Sequence, residues 1–204
     1  MSTFDWPDIR AWLPREMALT SRQNQADTGS PLSGYMQVLT RPGARWGWRM
    51  QFSGNTLEER RLIEGYFLRL AGREHRLRLW DLRFPKPQGN CNLTGVTVAS
   101  TAPAFARSMA LQGCGAGRQL LAGDWFATPS QLLRVVGDST ADGAGNMTVL
   151  FEHMLRSSVS AGTAITLVRP TSTYALAESD LEFPRVPGLS APPFAVELIE
   201  RWEA

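Results

Sequence analysis

The chain is short of the residue types on which most enzyme chemistry rests. Among its 204 residues are two histidines, His75 and His153, two cysteines, Cys91 and Cys114, and one lysine, Lys86. Two cysteines are too few for a disulfide scaffold and have no His or Cys partners at metal-ligand spacing, so they read as ordinary thiols. His75 falls in the turn after a helical segment, where it suits a structural partner for the helix C-terminus better than a general base. His153 follows Glu152 with neither a nucleophile nor an orienting residue beside it. A G-x-S-x-G elbow and a P-loop are both missing, and the segment from Gly113 to Arg118 puts Arg118 where a dinucleotide fingerprint needs its third glycine. Asp138, Asp142 and Gly143 match the first, fifth and sixth positions of a calcium loop, but Val149 holds the twelfth, where a bidentate carboxylate belongs, so the stretch reads as a hairpin turn. No catalytic, cofactor-binding or metal-ligating residue is expected, and the chain reads as a non-enzyme.

Two further absences bear on partners. Twenty-one basic residues against 19 acidic ones give a formal charge of only +2, which creates no strong field for nucleic acid. No apolar run approaches a membrane span, and the opening STFDWPDIRAW has neither a basic n-region nor an apolar h-region, so the chain is expected to stay in the cytoplasm when made.

What the sequence does contain is one convincing helix leading into a strand, over residues 55–81. Thr56 and Glu59 form a capping box, in which hydroxyl and carboxylate each satisfy an orphan amide of the first turn, and the helix is predicted over about 57–71. Leu62, Ile63, Tyr66, Phe67 and Leu70 are expected on its buried face, with Glu58, Arg60, Arg61, Glu64 and Arg69 pointing away. Gly72 stops it. In HRLRLWD, Leu77 and Leu79 then alternate with Arg76, Arg78 and Trp80, as a half-buried strand requires. Upstream, Tyr35 to Leu39 reads as a short strand and TRPGA as a turn. RWGWRMQF is the clearest strand, with Trp46, Trp48, Met50 and Phe52 on the face that receives the helix and Arg45, Gly47, Arg49 and Gln51 on the other.

Composition points to a mainly β protein with one flanking helix. RFPKPQGN ends the first strand set. Beyond it, TGVTVAS, LLAGDWFA, LLRVVGD, MTVLFE and AITLVR are short apolar runs between glycine-rich turns, the pattern of a small barrel or sandwich. STYALA and FAVELIERW are too few strands to fold alone, so they are expected to return to the first sheet. This gives one domain from residues 1–86 and 170–204, with residues 87–169 inserted as a small β domain.

Two residue sets stand out on surfaces. Trp6 and Trp12, near Phe4, Ile9 and Leu13, either fold back onto their own core or anchor a neighbouring subunit, since Trp is enriched in interface hot spots. Arg45 and Arg49 on one strand, with Arg76 and Arg78 on another, form either a solvated face, a subunit contact or a polyanion contact. The six together are the candidate subunit-interface residues.

Three segments in their order, SPLSG leading into PGARWGWRMQF, the capped helix TLEERRLIEGYFLRL, and AGREHRLRLWD, resemble the central domain of distal tail proteins, structural proteins at the tail tip of long-tailed, siphovirus-like bacteriophages. The resemblance covers about residues 31–84 and reaches LLAGDWFA to LVRP and FAVELIERW. It implies a tail-tube-like β-sandwich carrying an inserted β-barrel or sandwich. It further implies a homo-hexameric ring that joins the tail tube protein to the hub or baseplate, with DNA passing through its centre without sequence-specific contact. No enzymatic activity, cofactor or membrane partner is implied, and the location is the virion tail tip after assembly in the host cytoplasm. One departure is the arginine-bearing strand face, where the family would suggest an acidic lining; cyclic symmetry would instead set Arg45 and Arg49 against a different patch of the adjoining subunit. An alternative expectation is an accessory carbohydrate-binding module at the tail tip, contacting the host surface through an exposed aromatic such as Trp125.

Overall fold

A computed structural model of the chain describes residues 1–8, 12–29, 34–186 and 192–201. Ile9, residues 30–33 of SPLSG, residues 187–191 of the proline-rich turn and Trp202 lie outside the described residues. The described chain is mainly β, with several small sheets and one helix. Its order is β1 (Thr3–Asp5), β2 (Glu16–Arg22), β3 (Gln25–Gly29), β4 (Met36–Thr40), β5 (Arg45–Phe52), α1 (Leu57–Leu68), β6 (Arg76–Leu79), β7 (Thr97–Val98) and β8 (Ser108–Gln112). There follow β9 (Gln119–Leu120), β10 (Trp125–Thr128), β11 (Gln131–Arg134), β12 (Ser139–Thr140), β13 (Met147–Leu150), β14 (Ser172–Leu176) and β15 (Phe194–Glu200).

The chain divides into two compact units. One comprises Met1–Arg22, Arg45–Leu79 and Thr173–Ala204, the other Gln23–Ala44 and Trp80–Ser172. These bounds differ from those read in the sequence, most of all for residues 23–44. That segment leaves the first sheet because β3 and β4 pair with each other, from Gln25↔Thr40 to Gly29↔Met36, and with no strand of the larger sheet.

The first unit is built on a six-stranded sheet of order β1-β6-β14-β15-β5-β2. β1 runs parallel to β6, while β14–β15, β15–β5 and β5–β2 are antiparallel. Its strand β5, between β15 and β2, alternates as its sequence requires: Trp46, Trp48, Met50 and Phe52 are buried, Arg49 is exposed. α1 starts as expected, since Thr56 Oγ1 accepts from the Glu59 amide at 3.2 Å and the Glu59 carboxylate accepts from the Thr56 amide at 2.8 Å. It ends at Leu68, and Ala71 and Gly72 then take left-handed φ values of 46° and 66° to turn the chain toward β6. Ile63, Phe67 and Leu70 are fully buried.

The polar side of the helix differs from expectation. Leu62 is 55% exposed, whereas Arg60 and Glu64, which the apolar periodicity assigns to solvent, are 4% and 6% exposed. The buried arc contains residues 60, 63, 64 and 67, and a charge pair four residues apart occupies one edge of it. An apolar count treats both as surface residues; their mutual neutralisation lets them go inside.

In the second unit, β13-β8-β7 form a three-stranded sheet, β10 pairs with β11, and β12 with β9. β8 is a strand that the apolar runs do not mark. AITLVR, expected as a strand, contributes only isolated bridges, Ala164 to Thr97 and Thr166 to Ala127. The segment around Val135 does return against Phe151, flanked by Val136 N–H to Leu150 O and Glu152 N–H to Arg134 O, both at 3.0 Å. Leu111, Phe126, Leu133, Val149 and Phe151 fill its core, with Phe126 and Phe151 edge to face at 5.9 Å. Gly89 is required where it stands, because a Cβ there would lie 2.2 Å from the Gln119 carbonyl oxygen.

Candidate subunit interface

The two nominated tryptophans sit inside the first unit. Trp6 is 3% exposed and packs on Phe52, Tyr66 and Phe67; Trp12 is 9% exposed and meets Trp6 and Tyr66 edge to face. Tyr66 adds a hydrogen bond from its hydroxyl to the Asp5 carbonyl at 2.7 Å, which ties the N-terminal strand to the helix. Of the two readings of these tryptophans, folding back is the one these contacts describe. Local sequence cannot distinguish them, because an interface anchor and a core aromatic have the same composition.

Arg45 and Arg76 share a third arginine as neighbour: Arg201, whose pKa is lowered by burial and then by the charges of Arg45, Arg73 and Arg76, whereas Arg49 and Arg78 pair with carboxylates. β14 and β15 lie between β5 and β6 in the sheet, and Arg201 follows directly on β15. Arg78 pairs with Asp5 at 3.1 Å across the parallel β1–β6 ladder, and Arg76 donates to the carbonyls of Arg73 and His75. Arg49 faces Glu197 in the β5–β15 register, with Nε 3.8 Å from its carboxylate. It also lines a groove with Glu178, Asp180, Glu182 and Glu197. One cation against four carboxylates makes the lining of this groove acidic, a feature hidden from the strand alone because the carboxylates come from 120 or more residues later in the chain.

Other singled-out residues are structural. His75 turns its ring to the N-terminal strand, with Nδ1 accepting from the Ser2 amide at 3.4 Å and the ring edge to face with Phe4 at 5.7 Å, while its backbone amide takes the Leu70 carbonyl at the end of the helix turn. His153 is 1% exposed, and burial beside Arg156 and Arg107 lowers its pKa from 6.5 to about 4. Trp125 is 2% exposed: its indole N–H donates to Asp81 at 3.0 Å and Arg134 lies over its ring. It therefore offers no exposed face for a sugar. The Asp142 carboxylate accepts from the Ala144 and Asn146 amides and Asp138 accepts from the Ala122 amide, so both side chains are turned to backbone. Among the described residues, no group of three or more His, Cys, Asp or Glu is placed to hold a metal ion.

Two features are not legible in the local sequence. Glu64 accepts from Arg60 at 2.5 Å and from both nitrogens of the Arg185 fork at 2.8 and 2.6 Å, while Arg60 also donates to the carbonyls of Pro184 and Pro192. The helix thereby holds Pro184, Arg185 and Pro192. Arg185 first, and Arg60 second, hold the Glu64 carboxyl below its usual pKa. The second feature is the β3–β4 hairpin. Tyr35 is 82% exposed and Met36 71%, and Val38 and Leu39 are about half exposed on opposite faces. Its base is fastened within the second unit by Gln23 to Glu152 at 2.8 Å and Arg156 to the Ala44 carbonyl at 3.2 Å. The alternation Met-Gln-Val-Leu marks the strand, but not that both of its faces are left uncovered.

Neither a protein family nor a curated protein sequence matches the chain.

Proposed function

We propose that the protein is a structural ring subunit of a bacteriophage tail tip, a member of the distal tail type that joins tail tube to hub and lets DNA pass through the ring. In this reading the first unit is a tail-tube-like β-sandwich domain and the second an inserted small β-barrel or sandwich. The partners are further copies of the same chain, the tail tube protein and the hub. The observation that carries the reading is the β3–β4 hairpin, a two-stranded arm with large apolar side chains uncovered on both faces. A lone hairpin is marginal in water, and such side chains on both faces call for a surface supplied from outside the protomer. A ring of identical subunits supplies one through a head-to-tail contact. The acidic groove around Arg49 adds support, since a carboxylate-lined surface suits a wall past which DNA slides without adhering.

The test is mass by light scattering on the purified chain across a wide concentration range, with negative-stain images of any large species. A closed ring of six is the expected product. A particle that stays monomeric at every concentration, and also in the presence of purified tail tube and hub proteins, overturns the reading.

A further inference from the structure

Cys91 and Cys114 lie 23 positions apart in the sequence and side by side in the core of the second unit, 3% and 0% exposed. Asn92, next to Cys91, ties the two segments together, its backbone amide donating to the Cys114 carbonyl at 3.0 Å and its side-chain amide to the Gly113 carbonyl at 2.8 Å. Each cysteine is also tied outward, Cys91 N–H to Gln119 O and Cys114 N–H to Gly145 O, both at 3.0 Å. Cys114 sits between Gly113 and Gly115, which have φ values of 81° and 90°. A Cβ on Gly113 would lie 2.5 Å from the Gly95 carbonyl oxygen, so the backbone carrying Cys114 is closely packed on its neighbour. Both side chains are buried in one and the same core cluster.

From this arrangement we infer that Cys91 and Cys114 are a latent disulfide, an oxidisable pair held in bonding position that staples residues 91–114 once the protein meets an oxidising medium. Disulfides need Cα atoms within about 7 Å and converging side chains. The hydrogen bond from the Asn92 amide to the Cys114 carbonyl makes the two backbones neighbours, and both side chains enter the same core, which is the placement such a bond needs. The chemistry has an order. Hydrogen bonding from Cys114, reinforced by Arg118 and the Asn92 amide, lowers the Cys91 pKa, whereas the same contact and burial raise that of Cys114. With a small disulfide such as oxidised glutathione as oxidant, the Cys91 thiolate attacks one glutathione sulfur and expels a glutathione thiolate. Cys114 then gives up its proton, attacks the Cys91 sulfur of the mixed disulfide and expels the second glutathione. One protein S–S bond forms, the glutathione S–S bond breaks, and the two thiol protons end on two glutathione thiols. Burial of both sulfurs makes opening of the unit the slow step, so the thiols persist in a reducing cytoplasm and close slowly outside it.

The thiol pair does not depend on the ring reading. Its test uses the full chain, equilibrated for days with oxidised glutathione at a temperature just below its melting point, beside a sample kept in dithiothreitol. The expected product has lost both titratable thiols and two hydrogens in mass. Its peptide map links residue 91 to residue 114, and its unfolding midpoint rises by about 5–10 °C, reversed by reductant. A Cys91→Ser variant should show no redox-dependent midpoint. Two thiols that remain titratable, a stable mixed disulfide with glutathione, a bond between chains, or an oxidised form that melts lower would each overturn it. Because the oxidised wild type is compared with the reduced wild type, the outcome is decided even where the variant fails to fold.

Discussion

Glu64 illustrates how one buried carboxylate can hold two segments together. With Arg60 and Glu64 both almost fully buried, Glu64→Ala leaves the Arg60 guanidinium without its counter-charge, and the loss in unfolding free energy should be about 3–5 kcal/mol. Replacing the pair together, Arg60→Met with Glu64→Leu, should cost clearly less than the single change. Urea titrations of the three proteins check this, and a double variant no more stable than the single one would contradict a buried-charge origin. His153 works through pH instead. Its folded pKa of about 4 lies below the unfolded 6.5, so as pH falls the unfolded chain takes up a proton that the folded chain does not. The contribution is complete above 6.5, declines between 6.5 and 4, and amounts to roughly 3 kcal/mol. Comparing urea midpoints at about pH 7.5 and pH 4.5, the wild type should lose markedly more stability than His153→Gln. Equal losses would place the acid sensitivity elsewhere. Glu64 has a depressed pKa, so its own contribution is present above 4.5 and fades only on passing below that value.

At the scale of elements, the start of α1 is the part most directly written in the sequence. A Thr-x-x-Glu cap acts through bonds only three residues apart, so no tertiary knowledge is needed to see it. Thr56→Ala should therefore cost about 1 kcal/mol, measurable as a drop in urea midpoint, and an unchanged midpoint would mean that packing alone sets the helix start. Leu62→Lys makes the complementary case: at 55% exposure it should change stability by less than about 0.5 kcal/mol, whereas Ile63→Ala next to it should cost about 2–5. The same contrast explains what the sequence conceals. Strict alternation makes β5 plain, and Gly72 marks the left-handed turn. Arg60 and Glu64 are misplaced by a hydrophobicity pattern because it assigns a charge to solvent regardless of the Arg185 that arrives 121 residues later. The arginines are hard to place for a related reason: strand neighbours are a long-range property, β14 and β15 interpose between β5 and β6, and the charges of Arg45 and Arg76 meet at Arg201 from far along the chain. AITLVR has the composition of a strand but only bridge-length pairing, and composition cannot report the length of a ladder.

At the scale of the molecule, Trp6 and Trp12 are buried, whereas the β3–β4 hairpin leaves its large apolar side chains exposed. A residue that completes its own core cannot also serve as an anchor without unfolding that core, whereas Tyr35 and Met36 lose little in the isolated chain whatever replaces them. Replacing both, Tyr35→Ser with Met36→Ser, should leave the monomer's melting behaviour within about 0.5 kcal/mol of wild type. If the hairpin is the seam of the proposed ring, the same variant should weaken assembly at least about tenfold, since an aromatic buried at an interface centre commonly contributes about 2 kcal/mol or more. Sedimentation of both proteins over a concentration series reads the two quantities separately. Assembly should also resist added salt, because the hairpin carries Asp27 as its only charged residue between Gln23 and Thr40 and an apolar contact is not screened. A variant that assembles like wild type would move the seam off the hairpin, and a ring that dissolves as salt rises would place it instead on charged surfaces such as the one around Arg49.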